Sequence, residues 1–234
     1  MLPLKDNVPT RTFPIVTVGL IAVNVLVWIW EVKYGVDREV IRYGYYPCEL
    51  GGHCIGIASH HKPLVETIFT SMFMHGGWLH IGGNMLFLWI FGNNVEDTLG
   101  RVRFLVWYLL CGVAATLAQS LVTLYFGSTT DGSIPNIGAS GAIAGVLGAY
   151  LLLLPSARVL TAFFLGFFFF LQEIPALFFL GFWFLFQAWQ GGFSVLSPQA
   201  GGGVAFFAHI GGFVFGIATV RLFAGGRKPL PPSW

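Results

Sequence analysis

The sequence predicts an all-α fold, a polytopic membrane bundle of six transmembrane helices. Three observations carry this. Charged residues make up 9% of the chain, against about 25% in an ordinary soluble domain. Hydrophobic residues reach 56%, aromatics 17% and mean hydropathy +0.75. The apolar residues also gather into runs of the length a bilayer demands, about 20 residues for a hydrocarbon core of roughly 30 Å. So few charges cannot cover the surface of a water-soluble fold of this size. A disordered chain and a disulfide scaffold are excluded by the same composition. A formal net charge of +2 leaves no basic footprint for nucleic acid.

The first span runs from Phe13 to Trp30 and stops at Glu31. The second is shorter, Leu79 to Phe91, and is extended by Asn93 and Asn94 before Glu96. Phe104 to Phe126 and Ile137 to Leu154 are the third and fourth. Val159 to Trp189 is long but is broken by Gln172, Glu173 and Pro175. Its first part, Val159 to Leu171, is too short to cross as a helix, about 20 Å at the α-helical rise. It therefore reads as an embedded or interfacial segment leading into a fifth span from about Pro175 to Trp189, with proline suited to the first helical turn. Val204 to Val220 is the sixth.

Charge placement orients the bundle. With both termini inside, the inner segments hold Lys5, Arg11, Arg101, Arg103, Arg158, Arg221, Arg227 and Lys228, and the loops after spans three and five hold no Lys or Arg. This is the positive-inside pattern, with cytoplasmic N- and C-termini. Residues 1–222 then form one six-span domain, and 223–234 (AGGRKPLPPSW within it) read as a disordered cytoplasmic tail. The one large polar insertion is outer loop 1, about residues 31–78. There Tyr43, Tyr45, Tyr46, Pro47 and Trp78 point to an amphipathic element anchored at the interface. Gly191 to Gly203 is rich in Gly and Ser and reads as a mobile loop.

Polar side chains inside a bilayer are costly and default to function. The candidates are His75, His80 and Asn84 around the start of span two, Gln119 in span three, Ser140 opening span four and His209 opening span six. Spans two, four and six all run from outside to inside. His80, Ser140 and His209 each lie within a turn or two of their span's N-terminus, so they share one depth in the outer leaflet. A serine hydroxyl is a poor nucleophile until a base takes its proton, and His209 is the natural base. No Asp or Glu shares that depth, which leaves a Ser140–His209 dyad. The oxyanion of acyl transfer needs donors. His80 and Asn84, spaced i, i+4 on one helix face, can supply them beside the Ser140 backbone N–H at a helix N-terminus. His75 and Gln119 are candidates for holding water or for a structural role. Gly138 and Gly141 let the backbone approach a substrate carbonyl. Gly141 with Gly145, and Gly212 with Gly216, form two GxxxG faces that let spans four and six approach closely.

With these residues in place the chain resembles the rhomboid family of intramembrane serine proteases. The resemblance covers roughly Lys62 to Leu222. It rests on HGGWLHIGGN (His75, His80, Asn84), GNNVEDTLG (Gly92, Glu96, Gly100), GASG around Ser140 and AHIGGFVFG from Ala208 to Gly216. It implies Ser140 as nucleophile, His209 as base, His80 and Asn84 at the oxyanion, and Glu96 as a structural acid at a cytoplasmic helix end. It also implies a membrane-inserted first loop and a mobile fifth span acting as a lateral gate; the bulky Phe179, Phe182, Trp183 and Phe186 fit such a gate and fit a Phe-rich lipid face equally well. The expected substrates are single-pass membrane proteins within the lipid bilayer, cut from the extracytoplasmic side, with no cofactor and no metal.

Two other classes are weighed against the protease. A non-catalytic adaptor of the same family would keep its activity without Ser140. A transporter or channel would carry polar residues through the whole depth of the bundle, whereas here they cluster in the outer half. Cys48 and Cys54 in the outer loop are open to three readings: a disulfide, free thiols, or a metal site with His53, His60 and His61. Cys111, in mid-span, reads as packing.

Overall fold

The computed structural model describes residues 1–51, 54–56, 62–166, 168–196 and 205–233. Each of the six apolar runs contains a helix: α1 (Ile15–Tyr34), α5 (Trp78–Leu99), α6 (Arg101–Phe126), α8 (Ser140–Leu153), α9 (Ala176–Leu196) and α10 (Phe206–Ala224). Among the described residues, α1, α6, α9 and α10 are long and apolar enough to cross a membrane. Short helices α2 (Val36–Tyr43), α3 (Cys48–Gly51) and α4 (Leu64–Ser71) build the first loop, and α7 (Thr129–Gly132) follows α6. Helix α8 is the centre. It is only 14 residues long, and every residue from Gly141 to Tyr150 is buried. Its closest neighbours are α10 and α6.

The segment expected as an embedded piece before span five is a β-hairpin. β2 (Arg158–Leu165) pairs antiparallel with β3 (Phe168–Pro175), and β1 (Leu2–Asp6) adds to β2 from the N-terminus. The run VLTAFF followed by FFFLQEI is rich in β-branched and aromatic residues that favour a pleated surface. Gly166, with φ +59°, supplies the left-handed conformation at the reversal. Arg158 and Glu173 pair across the base at 3.5 Å. The apolar run thus satisfies its backbone between strands, which is why its length did not match a helical span.

The first loop also departs from expectation. Tyr45 and Tyr46 are buried rather than placed at an interface. The Tyr45 hydroxyl shares a 2.8 Å hydrogen bond with Ser120 Oγ on α6, and its backbone pairs with Asn136. These contacts pin the loop onto the bundle. Trp78 is exposed, with its ring edge-on to Trp28 at 5.2 Å. Cys48 and Cys54 are joined by a disulfide, with Cα atoms 5.1 Å apart; His53, His60 and His61 lie outside the described residues. Helix α9 continues through Gly191 and Gly192 to Leu196, so the expected mobile loop is helical in its first half, and 197–203 lie outside the described residues.

Charged groups organise the end of the bundle opposite Ser140. Glu96, near the C-terminus of α5, accepts from the backbone N–H groups of Val16 at 3.0 Å and Thr17 at 2.7 Å, and from the Thr17 hydroxyl at 2.8 Å. Pro14 precedes α1 and offers no side-chain cap, so Glu96 caps that helix from another one. Asp97 accepts from Arg11 N at 3.0 Å, Arg11 Nη1 at 2.8 Å and Thr12 N at 3.3 Å. The residues after α10, expected as a disordered tail, carry defined contacts. Arg11 donates to the Lys228 carbonyl at 3.0 Å, and Ser233 donates to the Asn7 carbonyl at 2.9 Å. Replacing Glu96 with Gln puts an amide nitrogen against a backbone donor. With charge-assisted bonds of about 1.5–3 kcal/mol each at stake, the expected cost is about 3 kcal/mol. Thermal unfolding in detergent is then expected to shift down by about 6–12 °C.

Asp6 closes the same end. It accepts from the Tyr150 hydroxyl of α8 at 2.5 Å and from Asn94 Nδ2 of α5 at 2.6 Å. Burial raises its pKa from the usual 3.8 to about 6. The folded chain therefore holds this proton more tightly than the unfolded one. The stability that protonation contributes is complete below 3.8 and is lost as pH climbs through about 6. Asp6→Asn keeps an acceptor for Tyr150 and removes the titration. It is expected to match the wild type near pH 4 and to exceed its melting temperature near pH 7, read from parallel melting curves; equal pH dependence of the two proteins would contradict this assignment.

Candidate active site

Ser140 is the first residue of α8, and its N–H has no partner within that helix. His209 lies in the first turn of α10. The two helices approach so closely that glycine is required on the shared face. A Cβ on Gly212 would overlap the carbonyl oxygen of Gly141, and one on Gly216 the carbonyl oxygen of Gly145. On the other side of α8, a Cβ on Gly141 would come within 2.5 Å of Ala115 Cβ, and one on Gly145 within 2.5 Å of Cys111 Sγ, both on α6. The paired glycines thus act as close-packing positions on both flanks of α8. This approach places Ser140 Oγ 2.8 Å from His209 Nε2.

The expected oxyanion residues converge on the same place. His80 Nδ1 accepts from the backbone N–H of Gly76 at 3.3 Å, so the ring proton sits on Nε2. That nitrogen faces Gly138, where a Cβ would lie 2.6 Å from it and 3.6 Å from Asn84 Nδ2. Gly138 also has φ +114°, so a side chain there is excluded by conformation and by space. Asn84 donates to His75 Nε2 at 3.0 Å, which leaves its second amide hydrogen for another acceptor.

His75 is fully buried. Its Nδ1 faces the Phe73 carbonyl at 3.2 Å, and its backbone N–H donates to the carboxylate of Glu31 at 3.1–3.2 Å. Burial and the adjacent His80 ring push its pKa down to about 4, so it is neutral at ordinary pH and accepts from Asn84. His75 therefore orients Asn84 within the site. Gln119 caps α10: its Oε1 accepts from the N–H groups of Phe207 at 3.1 Å and Ala208 at 3.2 Å, and its amide donates to Thr123 at 3.0 Å.

A cavity of about 550 Å³ opens over these groups, lined by Gly76, His80, Asn84, Ser140, Gln187 and His209 among others. Trp183 of α9 lies 5.9 Å from the His209 ring, and Phe179 is buried against Phe87 and Phe91, whereas Phe182 and Phe186 are exposed. Gln187, also on α9, brings Oε1 to 2.8 Å from His209 Nδ1. Sequence reasoning passed over Gln187, although it carried the signal applied to Gln119: one amide within a run of Phe, Leu and Trp. Asp97 and Asp6 were missed for another reason, since their partners come from distant segments.

A helical membrane bundle with a serine hydroxyl against an imidazole, and further polar donors beside them, defines a class of protein. The family model described as Rhomboid domain matches residues 63–225, more than half of the chain, and the chain belongs to the rhomboid family. It is 31% identical over 227 residues to the mitochondrial presenilin-associated rhomboid-like protein of Homo sapiens, covering 92% of this chain and 51% of that protein. It is 38% identical over 96 residues to mitochondrial Rhomboid protein 1 of Saccharomyces cerevisiae, covering 40% and 27%. It is 29% identical over 168 residues to the chloroplastic Rhomboid-like protein 11 of Arabidopsis thaliana, covering 70% and 55%. The chain spans about half the length of the presenilin-associated relatives it matches. It is an integral membrane protein.

Proposed function

We propose that this chain is an intramembrane serine endopeptidase that cuts a peptide bond in or near the transmembrane segment of membrane-protein substrates. The observation that carries this is the 2.8 Å contact between Ser140 Oγ and His209 Nε2. In the reaction, Ser140 Oγ attacks the scissile carbonyl carbon as His209 Nε2 takes the hydroxyl proton. The oxyanion accepts from Ser140 N–H, His80 Nε2–H and Asn84 Nδ2–H. The C–N bond breaks as His209 returns the proton to the leaving amine. Water, deprotonated by the same imidazole, then hydrolyses the acyl ester and regenerates Ser140. Substrate backbone must be extended to reach Ser140, so helix-weak residues near the cut favour cleavage.

The Lys- and Arg-rich end, with both termini, is assigned to the cytoplasmic side, and Ser140 opens to the other side. Helix α9, which packs on α8 and α10 more sparsely than they pack on each other, is the element through which a substrate would enter laterally.

The test is labelling with a fluorophosphonate probe in detergent. Wild type is expected to label, and Ser140→Ala and His209→Ala to show no signal above background. Equal labelling of all three, with a partner-binding activity that survives Ser140→Ala, would instead identify a non-catalytic adaptor.

A further inference from the structure

We propose that Gln187 is a positioning residue for the base: its amide oxygen holds His209 in the tautomer with the proton on Nδ1. This rests on the reading of Ser140 and His209 as nucleophile and base. A histidine can take the proton of Ser140 only if its Nε2 lone pair is free. A neutral imidazole without a partner distributes its proton between both nitrogens, and the Nε2–H form would donate to Ser140 rather than activate it. Gln187 Oε1, 2.8 Å from Nδ1, accepts a proton there and would repel a lone pair. The oxygen thereby does the orienting work of the carboxylate in a serine–histidine–aspartate triad, without a charge that would need compensation in an apolar bundle.

The surroundings support a dedicated contact. From Ala176 to Phe186, α9 carries no polar side chain. Gln187 is 9% exposed, and a buried amide in such a setting is costly unless it is hydrogen-bonded. Trp183, one turn earlier on the same face, lies 5.9 Å from the imidazole. The ring is thus met by an indole and by an amide oxygen from one helix, while its reacting nitrogen meets Ser140 from another. A third helix sets the protonation pattern of a pair carried by α8 and α10.

The experiment compares wild type with Gln187→Met, Gln187→Ala and Gln187→Glu by the second-order rate of fluorophosphonate labelling. Nitrogen-15 spectra of the histidine rings are recorded in parallel, with His209 assigned by difference from His209→Ala. Methionine keeps the bulk and removes the acceptor. It is expected to label about tenfold more slowly, the effect of a neutral hydrogen bond of ordinary strength. Alanine is expected to lose as much, and glutamate, which restores an acceptor, to recover most of the rate. The His209 signals are expected to show the Nδ1–H form in wild type and a mixture in Gln187→Met. A packing role predicts the opposite order, with methionine equal to wild type and alanine impaired, and that result overturns the proposal. So does a wild-type spectrum with the His209 proton on Nε2, a measurement that needs no variant to fold. Ser140→Ala separates the two readings. Labelling that persists in it removes the dyad, whereas labelling lost there and unchanged in Gln187→Met removes only the role of Gln187.

Discussion

Under the proposed mechanism, Asn84→Ala is expected to lower turnover of a membrane-embedded reporter peptide about 10²–10³-fold, with substrate affinity nearly unchanged, because that mechanism makes Asn84 an oxyanion donor whose loss falls on the transition state. His80→Ala is expected to act alike, and the double variant to fall by less than the product of the two, since both donors serve one oxygen. The geometry adds a graded control. His75 meets the site through its bond to Asn84 and through its ring, which lies edge-on to that of His80 at 5.0 Å, so His75→Ala leaves both donors present but less firmly anchored. Its loss of turnover should lie between that of wild type and Asn84→Ala. Turnover measured at saturating reporter, with affinity measured separately, checks all of these. A rise in KM alone for Asn84→Ala would assign that residue to ground-state binding instead.

Gly212→Ala is expected to have the second large effect. The added methyl group would overlap the backbone carbonyl of Gly141, and a backbone atom within a central helix cannot swing aside as a side-chain tip can. Helices α8 and α10 must separate, which draws His209 from Ser140 and opens packing along the whole crossing. Overpacking of this kind costs about 1–3 kcal/mol, enough to lower the melting temperature by several degrees, and activity should fall further than stability does. Gly82→Ala is the matched control. It lies in a Gly-Gly pair of similar appearance in α5, but a Cβ there meets nothing within 4 Å. Alanine is the better helix former, so that variant is expected to be neutral or stabilised by up to about 1 kcal/mol. The two glycine pairs look alike in one dimension, and only the packing separates them.

Much of the site is legible in the sequence because a bilayer penalises polar groups. Against a background of Phe, Leu and Gly, the few imidazoles, amides and hydroxyls stand out, and their distance from the start of each span reports their depth. That argument carries Ser140, His209 and His80 to one level, the i, i+4 spacing from His80 adds Asn84, and the glycine spacing predicts which helices approach. The argument weakens where the signal is not depth. Gln187 reads as one more amide in an aromatic helix until α9 is seen to place it against the imidazole. Tyr45 and Tyr46 read as interfacial anchors because composition cannot tell an aromatic residue at a membrane surface from one packed beneath a loop.

Hydrophobic run lengths, the spacing of glycines and the sparse polar residues were enough to point to a helical membrane bundle, its principal spans and the three side chains His209, His80 and Asn84 around Ser140. The tertiary structure alone decided that 158–175 is a β-hairpin completed by β1, that Cys48 and Cys54 are bonded, and that Glu96 caps α1. It also decided which amide meets His209. Local pattern records what each segment tolerates, whereas pairing between residues far apart in sequence depends on where the whole chain brings their backbones. Strand partners, trans-helix caps and the second bond of an imidazole all belong to that kind.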